Sequence, residues 1–390
     1  MSEDIRPLDG LLVVDFSQFL SGPSASLRLA DLGARVIKIE RPDGGDLCRN
    51  LYISSVDVDG DSTLFHSINR NKESFIADLK DAEDHRRVCE LLKHADVMLQ
   101  NFRPGVIEKL KLDYDSVAKL NGRLVYGEIT GYGTIGPWKN KPGQDLLVQS
   151  LSGLPWLNGS ANDGPVPFGL AVADLFAGAH LAQGVLACLV RRGRTGKGGK
   201  VEVSLMESIL DLQFEVLTTY MNDGGKLPQR SAINNAHAYL GAPYGIYATS
   251  DGSIALAMSS VVRLGELLAC KPLLVYSNMK LLFDERETIK QILADHFKTQ
   301  STAHWLSLLE PADVWCSDVL NWKSLFEHEA FQVLDMVQEI SRKDGRNMRT
   351  TRCPIRIDGQ MLKCSRGAPC LGDDTKQLTR EFHLAETKDF

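Results

Sequence analysis

The sequence predicts an α/β protein, with a large domain built on a parallel sheet and a smaller α+β unit after it. Short apolar runs alternate with helical segments from the start of the chain to Ser204. The chain then turns loop-like from Asn222 to Arg230, around Gly224, Gly225 and Pro228, and changes character beyond that break. In order, Leu11–Phe16 (LLVVDF) is a short apolar run ending in a polar turn, as a buried parallel strand would be. Ser24 to Leu32 reads as a helix and Ala34–Glu40 as the next strand. Asp84 to His94 is amphipathic at helical spacing, and Asp96–Gln100 is a third strand. Pro104 to Leu110 opens another helix with proline near its start, and Leu124–Thr130 is a fourth strand. This β-α-β order predicts a parallel sheet with right-handed crossovers. Gln144–Leu151 and the Ala- and Gly-rich Asp174–Val190 are helical, and Val201–Ser204 is a strand. In the smaller unit, strands near Tyr244–Ala248 and Ser253–Met258 flank the turn Asp251-Gly252, and helices follow to about Leu309. The large domain takes residues 1–225 and is completed by 330–390; the small one takes 226–329.

Composition narrows the function. With 390 residues, the chain holds two or three domains at roughly 100–200 residues each. Hydrophobic residues at 43% and charged residues at 24% are those of a globular protein. Lys plus Arg total 44 and Asp plus Glu 50, a net charge of −6 that argues against a general nucleic-acid binder but leaves room for a small anionic ligand. MSEDIRPLDG has neither the basic nor the apolar region of a secretory signal. Ala177–Val190 is interrupted by His180 and Gln183 and is shorter than the about 20 apolar residues a membrane span needs. A cytoplasmic protein without a membrane partner is expected. The eight cysteines form no C-x-x-C pair, and no histidine stands at ligand spacing near Cys353, Cys364 and Cys370, so no metal site is expected.

Three motifs carry candidate chemistry. Gly131–Gly136 (GYGTIG) matches G-x-G-x-x-G after a strand, but a dinucleotide site needs a helix opening inside the motif, and Pro137, Pro142 and Gly143 follow instead. A glycine turn that closes over a site is the expectation. Gly196–Lys200 (GKGGK) lacks P-loop spacing and reads as a basic turn at a helix C-terminus. Asp174 opens the Ala- and Gly-rich helix. It can be an N-cap, a role worth about 0.5–2 kcal/mol over Ala. Free helix N–H groups would also keep its carboxylate ionised, and a poorly hydrated carboxylate is a usable nucleophile.

Pro7-Leu8-Asp9-Gly10 to Asp15-Phe16, Ser21-Gly22-Pro23, Val36-Ile37-Lys38-Ile39-Glu40-Arg41, Gly44-Gly45-Asp46, Asn71-Lys72-Glu73-Ser74, Asn101-Phe102-Arg103-Pro104-Gly105, Gly131-Tyr132-Gly133, Ala173-Asp174, Gly193–Gly198 and Arg366-Gly367-Ala368-Pro369 follow one another along the chain. As an ordered set they resemble the class III CoA-transferase family, whose relatives include formyl-CoA transferase, carnitine CoA-transferase and α-methylacyl-CoA racemase. The resemblance covers nearly the whole chain and is weakest at about 205–320. It implies a large Rossmann-like domain and a small domain in a ring-shaped subunit, two of which interlock as a homodimer. It also implies a coenzyme A thioester and a carboxylic acid as substrates, no permanently bound cofactor, and Asp174 as nucleophile. CoA-contacting positions carry over to Leu20, Ser21, Arg41, Asn101, Phe102, Arg103, Gln144 and Asp145, with Lys109 where the family often has Arg.

The implied cycle passes through an aspartyl mixed anhydride and an aspartyl-CoA thioester. Two departures from the family pattern bear on it. Racemase relatives carry an acid/base His where this chain has Gln144, and Gln exchanges no proton near neutral pH, which favours transfer over racemisation. The glycine run of formyl-CoA transferase is replaced by Asn234–Gly241, which makes His237 and Tyr239 candidates for an acceptor site. That replacement points away from formate and oxalate and towards a larger, dicarboxylic acid. An acyl-CoA racemase, a nicotinamide-dependent oxidoreductase built on Gly131–Gly136 and a non-catalytic CoA binder are the rival readings.

Overall fold

The structure, a computed structural model, describes residues 6–343 and 345–385, with only the backbone of 279–281. The ends of the expected large domain, 1–5 and 386–390, lie outside the described residues. Two compact units make up the chain. One takes residues up to Val148, Ala171–Leu212 and Leu334 onward; the other takes Gln149–Leu170 and Gln213–Val333. Compared with the expected 226–329, the second unit starts earlier, ends later and also takes in Gln149–Leu170.

The first unit is built on six strands: β1 (Leu12–Asp15), β2 (Arg35–Glu40), β3 (Glu73–Ile76), β4 (Val97–Gln100), β5 (Val125–Thr130) and β6 (Gly199–Ser204). They lie in the order β3-β2-β1-β4-β5-β6, and every pair is parallel. Val13, Val14, Ile37, Val97, Met98, Leu99 and Val125 are buried, as a sheet covered on both faces requires. The order reverses between β1 and β4, and the carboxyl ends of the strands at such a reversal are where sheets of this kind bind ligands.

β3 is absent from the sequence expectation, and its burial explains why. Two of its four residues are polar yet buried: Arg35 Nε donates to Glu73 Oε2 at 2.6 Å and Ser74 Oγ to Glu40 Oε1 at 2.7 Å. An ionic edge has no apolar signature. The chain after Leu334 returns to this edge, where Asp374 accepts a hydrogen bond from Ser74 N at 2.9 Å.

The helices that matter for the site are α1 (Ser21–Asp31), α2 (Ala82–His94), α3 (Asp145–Ser152) and α4 (Val172–Thr195). α4 is 24 residues long, and by length and composition alone it could cross a membrane, which the expected Ala177–Val190 could not. Its buried stripe of Ala173, Ala177, Gly178, Leu181, Ala182 and Val185 packs on β5, β6 and α1, the position of a helix covering a sheet. Gly196 in the left-handed region (φ 73°) ends it, with Arg192 and Arg194 in its last turn, so the basic glycine segment is a helix stop. No helix opens within Gly131–Gly136; the next begins at Asp145. Instead a Cβ on Gly131 would meet Gly143 Cα at 2.6 Å, so the two ends of this loop lie against each other.

The second unit holds a three-stranded antiparallel sheet of β7 (Gly245–Ala248), β8 (Ser253–Leu256) and β9 (Cys316–Asp318), with β8 central. Its core gathers Tyr247, Ile254, Leu264, Leu293, Phe297 and Trp305.

Candidate active site

α1 begins directly after the loop leaving β1, and α4 crosses it at very short range. A Cβ on Gly178 would stand 2.1 Å from Ser24 Oγ and 2.6 Å from Ser21 O. Only glycine permits that approach. It brings the first turn of α1 to the first turn of α4 and sets the Ser21 hydroxyl beside Asp174, near enough to favour the ionised carboxylate.

The structure corrects the reading of Asp174 as an N-cap. The cap position of α4 is Ala171, which supplies no side-chain bond. The cap comes from another helix: Asp145 Oδ1, at the start of α3, accepts from Ala173 N at 2.7 Å and Asp174 N at 3.3 Å. Asp145 therefore takes the N–H groups expected to favour an ionised Asp174. Half-buried, Asp174 has its carboxyl pushed up to about 7, first by desolvation and then by the Asp145 charge, while the Ser21 hydrogen bond pulls it down. Asp145 itself is 7% exposed. The pair is a capping carboxylate beside a carboxyl that gives up its proton near neutrality, a usual property of a catalytic group.

Asn101, directly after β4, ties its loop to the one after β1. Its Oδ1 accepts from Gln18 N at 2.8 Å, and its Nδ2 donates to Gln18 O at 2.7 Å and to Ser21 Oγ at 3.4 Å. Asn101 thus feeds Ser21, leaving the serine proton for Asp174. Leu20 is half-buried at the cap position of α1. Phe102 N donates to Gln100 Oε1 at 2.8 Å, and its ring packs against the sheet core. Arg41 and Arg103 are exposed on the loops after β2 and β4, and Arg41 Nε donates to Gly45 O at 2.9 Å. Lys109 lines a cavity of about 420 Å³ together with Leu79, Lys80, His85, Val106 and Leu110. Gln144 is exposed, just ahead of α3.

Sequence reasoning missed Lys80 and His85 in this cavity. The loop holding Lys80 follows β3, and without that strand nothing assigns the loop to the ligand edge. The remaining candidates lie in the second unit. His237 Nδ1 accepts from Tyr239 N at 3.2 Å, and His237 Nε2 lies 3.4 Å from Glu215 Oε1. The Tyr239 hydroxyl oxygen is buried and has no partner among the described residues. No group of His, Cys, Asp and Glu able to hold a metal occurs among the described residues.

A family model described as CoA-transferase family III matches residues 8–375. An acetyl-CoA:oxalate CoA-transferase of Acetobacter aceti is 32% identical over 98% of this chain and 97% of its own length. A succinate–glutarate CoA-transferase of Agrobacterium fabrum is 31% identical over 97% of this chain and 96% of its own. Among solved structures, a CAIB/BAIF family protein from Brucella suis superposes with a TM-score of 0.84 at 30% identity, covering 97% of this chain and 99% of that one.

Proposed function

The chain belongs to CoA-transferase family III and is a CoA-transferase, and on that premise we propose that it moves CoA from an acyl-CoA to a dicarboxylate with Asp174 as covalent nucleophile. The observation that carries this reading is the placement of Asp174 beside Ser21, with its own N–H capped by Asp145 Oδ1 at 3.3 Å, where burial and the Asp145 charge push its carboxyl up to about 7.

Deprotonated Asp174 attacks the thioester carbonyl and expels CoA thiolate, which leaves a mixed anhydride. The thiolate then attacks the aspartyl carbonyl carbon, releasing the donor carboxylate and forming an aspartyl-CoA thioester. The acceptor carboxylate attacks that carbon and expels thiolate again, and thiolate attack on the acceptor's carbonyl gives the new thioester and restores Asp174. Holding the activated acyl group and then CoA on Asp174 keeps every intermediate bound to the enzyme between donor release and acceptor attack, which conserves the thioester energy. Arg41, Arg103 and Lys109 are the cations for CoA phosphates. The Leu79, Val106 and Leu110 wall suits the adenine, with Lys80 and Lys109 at its rim. Lys109→Ala is expected to raise the KM for acyl-CoA about five- to tenfold with kcat nearly unchanged, the mark of a contact made equally in ground and transition state.

Relatives named for glutarate, mesaconate and malate support a dicarboxylate acceptor here, while the relative named for oxalate bears against the expectation that pointed away from that acid. The unpartnered Tyr239 hydroxyl, next to His237, supports these two as acceptor residues. Large exposed apolar side chains, among them Ile135, Leu170, Leu175 and Phe214, support the homodimer. The Gln144 amide gives no acid/base group for α-proton exchange.

Trapping tests the nucleophile. With acyl-CoA present, hydroxylamine should inactivate the enzyme and leave a hydroxamate on Asp174 that peptide mass spectrometry locates. A hydroxamate elsewhere, or full turnover by Asp174→Asn, overturns the reading. The proton on Asp174 also sets the pH dependence: kcat/KM should rise as pH increases through about 7.

A further inference from the structure

We propose that Lys38, a lysine sealed inside the first unit, is a positioning residue for CoA transfer: it fixes the segment Ser17–Phe19 and so sets where Ser21 meets Asp174. This role rests on the reading of Asp174 as nucleophile.

Lys38 lies on β2 with its side chain fully buried. Its Nζ donates to Ser17 O at 2.7 Å and pairs with Asp46 Oδ2 at 2.7 Å. Asp46 Oδ1 in turn accepts from Phe19 N at 3.1 Å. Asp15 accepts from Ser17 N at 2.9 Å, and Asn101 holds both the N–H and the carbonyl of Gln18. The three N–H groups and the first two carbonyls of Ser17–Phe19 are thus each bound by a side chain. Phe19 sits at φ 64°, the left-handed region that a non-glycine residue keeps only where its surroundings over-determine it. Leu20 then caps α1, whose first residue is Ser21.

A second buried lysine, Lys72, braces the next stretch. Its Nζ donates to Pro23 O at 3.0 Å and Ser26 Oγ at 2.7 Å, and lies 3.2 Å from Asp15 Oδ2. Lys38 and Lys72 are balanced by Asp46 and Asp15. Filling space under β2 needs no charge, since apolar residues of similar volume often replace a buried ion pair without loss of stability. Lys38, Asp46 and Asp15 bond this loop directly and Lys72 reaches it through Asp15, so the buried charges specify its backbone geometry instead. Lys38 touches Ser17 and Asp46 and acts through them.

The test is the pH profile of kcat/KM. Lys38→Met combined with Asp46→Asn removes both members of one pair and keeps the buried charge balanced. It should weaken the Ser21–Asp174 bond and move the midpoint up by about half a unit to one unit, with roughly three- to tenfold loss at pH 6.5 recovered at pH 9. Ser21→Ala should shift the midpoint the same way, and adding it to the pair variant should add little. If Ser21→Ala shifts the midpoint and the pair variant does not, or if the two shifts add in full, Lys38 does not act through Ser21. Should the pair variant fail to fold, Asp46→Asn alone replaces it: a smaller upward shift supports the role and an unmoved midpoint overturns it. Failure of the nucleophile reading shows separately, as turnover by Asp174→Asn.

Discussion

Asp174→Asn is expected to lose transfer by about 10⁴-fold or more, the scale on which removal of a covalent nucleophile acts, while the protein becomes more stable at pH 8. The two effects share one cause. An aspartate in an unfolded chain titrates near 3.9, whereas burial and the Asp145 charge push Asp174 up to about 7 in the fold. The folded state therefore binds a proton more tightly than the unfolded state. Its stability falls as pH rises through the interval between these values, and the full cost is present above about 7. Asn cannot ionise, and its amide N–H can face the Asp145 carboxylate. Because Asp174 is only half-buried, the gain is about 1–2 kcal/mol at pH 8, or roughly 2–4 °C in Tm, and close to zero at pH 4. Thermal melts of both proteins at the two pH values check it. Asp174→Asn melting below the native protein at pH 8 would show that the carboxylate is well solvated or paired, not held under strain.

That cost also separates what the sequence makes legible from what it hides. β1 and β4 announce themselves as short apolar runs, β2 and β5 through β-branched and aromatic residues set among polar ones, and the chain order of their connections predicts the parallel sheet. Ser21, Asn101 and Asp174 are legible as candidates because each sits in a segment of the family pattern. Two kinds of residue stay hidden. One is the polar group that is buried against expectation: Lys38 and Lys72 have fully buried side chains, although lysine is among the residues least often buried. In the sequence they stand as ordinary members of VIKIE and NKES, and only their partners, 17 to 72 in the chain, reveal their burial. The other is the side chain whose role depends on a distant backbone. Asp145 caps a helix that begins 27 residues later, so nothing near Asp174 distinguishes capping from chemistry. β3 and the Lys80 loop fail for the first reason, and the division of labour between Asp145 and Asp174 for the second.

Gly178→Ala should cost activity out of proportion to its size. In an open helical position alanine is favoured over glycine by about 1 kcal/mol. At Gly178 the added carbon would lie 2.6 Å from the Ser21 carbonyl oxygen and 2.1 Å from Ser24 Oγ. The serine hydroxyl can rotate away, but the carbonyl belongs to the first turn of α1 and moves only if the helix moves. Overpacking of this kind costs about 1–3 kcal/mol, which cancels or exceeds the helix gain. The displaced turn is the one that carries Ser21, so the hydrogen bond to Asp174 lengthens. A misplacement on the order of 1 Å can cost about 100-fold in rate, so kcat/KM should fall about 10–100-fold and its pH midpoint should rise. Gly193 provides the control on the same helix, since a Cβ there has nothing within 4 Å. Gly193→Ala should leave kcat/KM and its midpoint at the native values while stabilising α4 slightly. Equal kinetics for the two variants would mean that the close crossing of α1 and α4 serves packing alone, and that the geometry of Ser21 is set without it.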